Sequence, residues 1–266
     1  MSILNNVSAL AASRQLGITN QGLSQTIQRL TTGKRINKAS DDAAGLAISN
    51  KLGADVRIAS QGQRNANDGI SVLQTADGVL DEVTNLLTRA AELAQQASSG
   101  TSGADSGTGK VALDAEFQNI ITTLGDLQSN TKFNAASIFG GAAIAVTLGG
   151  FSTVTVSVGT FNSLASSDKL NTAANATAAA SKIGTALDAV SALRGTLGAQ
   201  SQQLQAVSNS LGIEVENFTA AASQITDANV ASEVVNLSKF QILNQSGISA
   251  LGQANTSAQS ILALLR

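Results

Sequence analysis

The feature of this sequence that most restricts its fold is a long apolar stripe that runs through residues 52–97 without a proline. Most of its members are three or four residues apart, which places them on one side of an α-helix. Counted with the polar segment that precedes it, such a helix of roughly 55 residues would be about 80 Å long. No single globular core needs a helix of that length, so other helices must lie beside it. The stripe consists of Leu52, Val56, Ala59, Ala66, Ile70, Leu73, Leu80, Val83, Leu87, Ala90, Ala94 and Ala97.

Two local signals bear on the limits of this helix. Ser40, Asp41 and Asp42 stand ahead of the stripe, and their side-chain oxygens can accept hydrogen bonds from the free N–H groups of a first helical turn. Inside the helix, the tripeptide NDG at residues 67–69 is a turn signal. The apolar period continues across it, so we predict one continuous helix.

Other parts of the chain carry the same period. Residues 113–127 should form a shorter helix that folds back antiparallel on the first, and residues 172–225 hold a long heptad pattern. The segments 3–30 and 237–265 are also periodic but hold very few charges. A helix that faces solvent usually carries a charged side, so we expect neighbouring helices to cover both ends of the chain.

A short region of alternating residues interrupts the helical patterns. Ile144 and Val146 alternate with small residues, and so do Val154 and Val156, with glycines between the two runs. This predicts a β-hairpin near residues 142–160 with one apolar face. The predicted fold is therefore mainly α, with long antiparallel helices in a coiled-coil-like bundle made from both ends of the chain, and one small β-hairpin.

The composition excludes several kinds of function. Without Cys or His the chain has neither a disulfide nor a thiolate or imidazole site, and we predict no metal and no cofactor. The net charge of −2 argues against nucleic acid as a partner. No run approaches the 18 or so apolar residues of a membrane span, so we predict no membrane insertion.

Four segments of the sequence resemble the conserved regions of bacterial flagellin. RINKASDDAAGLAIS and RNANDGISVLQTADG are similar to its N-terminal region, and VSALRGTLGAQSQQLQ and ENFTAAASQITDANVASEV to its C-terminal region. The resemblance covers about residues 1–140 and 185–266. It implies a structural subunit of the flagellar filament, located outside the cell after export in an unfolded state through the flagellar channel.

The resemblance also implies a division of the chain. Residues 1–40 with 230–266 would form the inner tube of the filament, and residues 41–229 an outer helical bundle. The large variable outer domain of most flagellins is absent, which makes this a short form.

Physical reasoning supports self-assembly independently. Amphipathic, uncharged helices at both ends would expose a large apolar surface in a single chain, and burial between identical copies in a contact that does not close builds a helical filament. We expect these ends to become ordered on assembly. The predicted polymerisation residues are Leu4, Val7, Leu10, Leu23, Ile27, Leu237, Phe240, Leu251, Ile261 and Leu265.

Further partners are implied by the resemblance alone. They are a flagellar export chaperone, the filament cap, the hook-junction proteins and Toll-like receptor five. In many flagellins that receptor contacts an Arg and a Leu on the long helix and a Glu on the antiparallel one, which here correspond to Arg89, Leu93 and Glu116.

Three alternatives stand beside the filament subunit. A secreted membrane-active protein would also have amphipathic ends, but usually with Lys or Arg on the polar face, where this chain has Asn, Gln and Ser. A filament cap or hook–filament junction protein shares the terminal pattern. An enzyme is the third: the metalloprotease of some flagellins needs two His residues and a Glu on one helix face, and this chain has no His.

Overall fold

The computed structural model describes residues 6–140, 143–150, 153–161 and 164–264, with the side chains described as far as residue 257. The predicted fold class, mainly α with a small hairpin, is confirmed. The helices are α1 (Val7–Thr32), α2 (Ala43–Ser98), α3 (Thr108–Asn130), α4 (Ala173–Thr226) and α5 (Val230–Leu264), with one 3-10 turn at Gly100–Ser102; the strands are β1 (Lys132–Phe133), β2 (Ala136–Ser137), β3 (Ile144–Val146) and β4 (Val154–Val156).

Helix α2 is continuous, as its apolar period predicted, and its start is capped as predicted. The Oδ1 atom of Asp42 accepts a hydrogen bond from the Gly45 N–H at 2.8 Å. Gly69, inside the turn signal, lies in the helix and is buried. A Cβ at that position would lie 3.0 Å from both the Leu204 and Val146 side chains. The glycine therefore permits close packing and does not form a turn.

The chain divides into two compact units, residues 1–56 with 216–266 and residues 57–215. Helices α2 and α4 contribute to both. The predicted division at residues 40 and 230 concerns positions in a filament and stays a prediction. In the chain itself, the end of α4 and the start of α5 lie close to the second of those limits.

The second unit has a conventional apolar core. Within it α4 runs antiparallel to α2: the Arg194 guanidinium contacts Asp77 at 2.9 Å and Asp81 at 3.0 Å, and Ser208 donates to Asn67. Large side chains from α2, α3 and α4 are excluded from solvent because the apolar stripes of these helices face one another. Among them are Leu80, Leu87, Phe117, Leu124, Ile183 and Leu204.

The β-hairpin packs onto this core. β3 and β4 are antiparallel, with Ile144 opposite Val156 and Val146 opposite Val154, which confirms the predicted hairpin. Val146 and Val156 are buried, while Ala145 and Thr155, the middle residues of the two strands, are exposed. The hairpin's apolar face therefore covers the side of the helices in this unit.

A second, smaller hairpin was not predicted. β1 and β2 pair antiparallel through a two-residue turn at Asn134 and Ala135, whose φ angles are 47° and 66°. Such turns usually signal themselves by Asn-Gly. Alanine in the second position removes that signal, which is why the sequence pattern missed the turn.

Candidate assembly surface on the terminal helices

In the first unit, α1 and α5 pack side by side and antiparallel. Three polar contacts along their length define the register. The Asn6 side-chain amide donates to the Ala254 carbonyl at 3.1 Å, Asn244 donates to Asn20, and Arg29 contacts Glu233 at 3.3 Å. Residue numbers rise on α1 as they fall on α5, so the three contacts belong to a single alignment of the two helices.

Glycines allow the two helices to approach closely. A Cβ at Gly22 would lie 2.6 Å from the ring of Phe240, and one at Gly247 would lie 3.2 Å from Leu16. Phe240 and Leu16 therefore bury apolar surface inside the pair, each against a glycine of the facing helix.

Most of the large apolar side chains of the two helices point away from this contact. Val7 is 68% and Leu10 64% exposed, whereas the buried residues of α1 are Thr19 and Thr26. The pair therefore leaves most of its large apolar side chains uncovered, and exposed apolar surface of this extent marks an interaction site. Exposed members are Val7, Leu10, Ile18 and Ile27 on α1, with Val230, Val234, Val235, Ile242, Leu243 and Ile248 on α5.

The residues predicted for polymerisation fall into three groups. Val7, Leu10 and Ile27 are exposed on α1, whereas Leu23, Leu237, Phe240 and Leu251 are half-buried. Leu4 and Leu265 lie outside the described residues, and so does the side chain of Ile261. Sequence reasoning overlooked Ile18, Ile242 and Ile248, although these lie in the same uncharged segments, because they fall off the stripe that was read as the apolar face.

The Arg29–Glu233 pair is the charged part of the contact. The Glu233 side chain is 10% exposed and that of Arg29 is 29% exposed. The pair has a single contact, between Nη1 and Oε1, and the buried Nε of Arg29 and Oε2 of Glu233 have no partner. Arg29 belongs to the last turn of α1 and Glu233 to the first turn of α5, where each charge is favoured by the helix dipole.

Backbone contacts join the two breaks between helices in this unit. The Arg35 N–H donates to the Thr226 carbonyl at 2.6 Å and the Ala228 N–H to the Gly33 carbonyl at 2.9 Å. The Arg35 guanidinium donates to the Ile225 carbonyl at 2.8 Å. This basic side chain, which lies between α1 and α2, therefore has a structural role, closing the end of α4.

Asp41 organises the same connection between α1 and α2. Its carboxylate accepts hydrogen bonds from the N–H groups of Asn37 and Lys38, both at 3.0 Å. Those two donors, Asn37 first, hold the pKa of Asp41 below its ordinary value. The carboxylate is thus ionised at neutral pH and keeps the turn before α2 in place.

The predicted receptor residues lie in the second unit and differ in their exposure to solvent. Arg89 is 50% and Glu116 46% exposed, and they form a bridge of 2.8 Å, with Glu92 also contacting Arg89. Leu93 is 0% exposed and belongs to the apolar core. Leu93 belongs with Ala90 and Ala94 to the stripe of α2 that packs inward and is not accessible on the folded chain, so its receptor contact stays a prediction.

The part of the chain that the structure describes holds no cluster of side chains suited to a metal ion. None of its helices is long and apolar enough to cross a bilayer. A cleft of about 390 Å³ in the second unit is lined by α2 and the two hairpins, with Asp68, Asn65 and Phe133 among its walls.

Comparison with known proteins gives a consistent result. The models "Bacterial flagellin N-terminal helical region" and "Bacterial flagellin C-terminal helical region" match residues 3–143 and 180–265. The chain is 37% identical to a flagellin of Halalkalibacterium halodurans and 33% identical to the flagellar filament 30.7 kDa core protein of Treponema maltophilum, over the full length of each protein. The chain is also similar to the crystal structure of Bacillus cereus flagellin. The two sequences are 28% identical, and the TM-score is 0.50 over 56% of this chain and 88% of that one.

Proposed function

Because the chain belongs to the bacterial flagellin family, the structural subunits of the extracellular flagellar filament, we propose that it polymerises by burying the outward apolar faces of α1 and α5 between copies. The observation that carries this proposal is the exposure of large apolar side chains on the terminal pair. Val7 and Leu10 are exposed while Thr19 and Thr26 are buried. Helices of neighbouring copies would cover these side chains.

The free energy available is adequate. Burying one exposed Val, Leu or Ile side chain fully is worth roughly 1.5–3 kcal/mol. The ten such side chains on the two helices are 41–68% exposed, so their gross gain is comparable to the roughly 4–15 kcal/mol that association costs. A contact between unlike faces that does not close then extends into a helical filament.

Within the filament we place residues 1–40 with 230–266 in an inner tube and residues 41–229 outside it. We propose export in an unfolded state on the strength of the family. An export chaperone, the filament cap and the hook-junction proteins are proposed partners on the strength of the family. A cap or junction role for the chain itself is the alternative, and filament growth by the purified protein would exclude it.

The relatives are structural proteins. We propose that this chain has no catalytic activity. Its acidic side chains support this: Asp77 and Asp81 bind Arg194, and Glu92 and Glu116 bind Arg89. These carboxylates are committed to ion pairs that hold the helices of the second unit.

Polymerisation is tested by placing a charge on the proposed surface. Leu10→Asp should raise the critical concentration for filament growth at least tenfold, because an uncompensated buried carboxylate costs several kcal/mol and each 1.4 kcal/mol is a factor of ten. Val111→Asp is the matched control, since Val111 is also exposed but lies in the first turn of α3. Equal growth of Leu10→Asp and the unaltered chain in seeded light-scattering assays would refute the assignment.

A receptor contact through Arg89 and Glu116 is a separate proposal. Both are accessible, and their mutual bridge presents a charged ridge joining α2 and α3. A Toll-like receptor five reporter assay on monomer should lose signal with Arg89→Ala and with Glu116→Ala. Unchanged signalling by both variants would reject the contact, and Lys182→Ala controls for the loss of an unrelated ion pair.

A further inference from the structure

Lys110 is a buried cation in the second unit. It lies in the first turn of α3, and 3% of its side chain is exposed. A lysine is almost never fully buried unless it is paired, and a positive charge at the N-terminal end of a helix opposes the helix dipole. The position of this ammonium therefore depends on Asp105, whose carboxylate it contacts at 2.7 Å.

Asp105 belongs to residues 103–107, an outer segment that connects the 3-10 turn to α3 and that we call the latch segment. The 3-10 turn is attached to α2, because the Ser102 hydroxyl donates to the Gln96 carbonyl at 2.8 Å. Gly103 follows with a φ of 97°, a conformation that glycine adopts without strain. This glycine gives the latch segment a hinge, and 59% of the Asp105 side chain is exposed to solvent.

We propose that the latch segment is a conformational device held closed by charge: ionised Asp105 keeps the Lys110 ammonium inside the second unit, and neutralising Asp105 frees the lysine and opens the segment. An ammonium left buried without a counter-ion is so costly that it moves to water. It reaches water by displacing the latch segment, whereas the apolar core of α2, α3 and α4 stays in place. The device belongs to the single chain and does not depend on polymerisation.

The other charged groups on neighbouring segments have roles of their own. Asp114, four residues further along α3, accepts a hydrogen bond from the Leu170 N–H at 2.6 Å. Asp168 binds the Lys182 ammonium, and Lys169 is exposed. Both carboxylates are therefore engaged when the lysine loses its partner.

The rest of the surroundings is uncharged. Residues 93–104, before Asp105, and residues 170–181, at the start of α4, carry no charge. One backbone bond also holds the latch segment, from the Ser106 N–H to the Asn171 carbonyl at 2.8 Å. A single bond of this kind contributes less than an unpaired buried charge costs. The charge of Asp105 therefore decides whether the segment is closed.

The loss of Asp105 has little direct effect on α4. Its Oδ1 atom also accepts a hydrogen bond from the Ala173 N–H at 3.1 Å. That helix keeps a cap of its own, since the Thr172 hydroxyl accepts from the Asn175 N–H at 3.1 Å. The opening therefore originates at the stranded lysine.

Asp105→Asn in the full chain tests the proposal at neutral pH. Acetylation by an amine reagent is followed at each lysine by mass spectrometry, and the rate at Lys110 relative to the exposed Lys169 should rise at least tenfold, or about 1.4 kcal/mol. The Leu124 amide, in the core, should keep its protection from hydrogen exchange. An unchanged rate at Lys110, or an equal loss of protection at Leu124, would overturn the local latch.

Two further variants isolate the cause. Asp114→Asn removes a carboxylate from the same helix and should leave the Lys110 rate unchanged; a rise as large as in Asp105→Asn would overturn the choice of Asp105. Adding Asp105→Asn to Lys110→Met, where no charge is stranded, should speed exchange of the Ser106 amide by about threefold at most, the effect of a lost cap. With Lys110 present the same change should speed it at least tenfold, and equal effects in both backgrounds would overturn the proposal.

Acid should act in the same direction. The Lys110 ammonium, and then the Ala173 N–H, hold the pKa of Asp105 below its ordinary value of about 3.9. The latch is therefore closed at neutral pH and opens as the pH falls through that lowered value. Protection of the Ser106 amide, corrected for intrinsic exchange, should fall with it in the unaltered chain and stay low throughout in Asp105→Asn; an equal fall in that variant would overturn Asp105 as the switch.

Discussion

The two compact units of this chain share the same helical period but direct their apolar side chains differently. In the second unit the apolar stripes of α2, α3 and α4 face one another, so that Leu80 and Phe117 are wholly buried. In the first unit α1 buries Thr19 and Thr26 and turns Leu10 outward. The comparison teaches that periodicity indicates that a helix has an apolar face, whereas the number of charged residues on the helix indicates what covers that face. The second unit carries the ion pairs of Arg89 and Arg194, and the terminal helices carry very few charges.

The strongest test separates the two regions physically. Removing residues 1–30 and 237–266 should leave a soluble, helical chain that melts cooperatively, because the core of the second unit lies wholly within what remains. The same chain should never polymerise, even with seeds of intact filaments. Electron microscopy of seeded samples provides the measurement, and normal filaments from the truncated chain would show that the terminal helices are not the assembly surface.

A matched pair of leucines breaks the comparison at single residues. Leu80→Ala should destabilise the monomer by about 2–5 kcal/mol, because the side chain is fully enclosed. Leu10→Ala should change monomer stability by no more than about 0.5 kcal/mol, as expected at an exposed site, and weaken polymerisation instead. Urea unfolding measures the effect on the monomer and the critical concentration measures the effect on polymerisation. Similar losses of stability in both variants would argue against Leu10 as an outward assembly residue.

A smaller effect is expected from pH, which acts through two carboxylates of the second unit. The Lys110 ammonium and then the Ala173 N–H hold the pKa of Asp105 below its ordinary value. Burial raises the pKa of Asp168, but the Ala165 N–H and Lys182 outweigh it and leave that pKa lowered.

A lowered pKa of this kind stabilises the fold above the unfolded value of about 3.9, and that contribution disappears as the pH falls through the folded-state value. With no His in the chain, filaments should hold from about pH 8 to pH 5. Light scattering that fell steeply near pH 6.5 would contradict this.

The smallest expected effect concerns the turn at Asn134 and Ala135. Ala135 has a φ of 66°, which costs an L-residue about 1–2 kcal/mol. Ala135→Gly should stabilise the second unit by about 0.5 kcal/mol, since the relief exceeds the added entropy of the unfolded chain. Ala136→Gly, in the adjoining strand, is the control and should destabilise slightly, as read from urea midpoints.

How much could be predicted from the sequence differs between the two units for a physical reason. The continuous α2 and the β3–β4 hairpin were predicted because their apolar residues face a core within the same chain. The side-chain directions on α1 and α5 were predicted less well: Phe240 was taken for an outward residue but packs on Gly22. When a helix has apolar groups around much of its circumference, the period no longer says which side faces the partner within the chain.

Leu93 illustrates a second limit. Its spacing from Arg89 suggested one exposed face, yet a position four residues away already belongs to the buried stripe. The ion pair between Arg29 and Glu233 was missed as well, because they are 204 residues apart in sequence and no local pattern connects them.

The backbone bridge between Lys34 and Asp227 has a mechanical consequence. Hydrogen bonds from the Arg35 and Ala228 N–H groups connect the break after α1 to the break before α5. A pulling force applied to either terminal helix therefore loads both connections together, and several bonds must rupture at once before one helix can be drawn out alone. Since the bonds are formed by main-chain atoms, this resistance to tension does not depend on which side chains occupy the breaks.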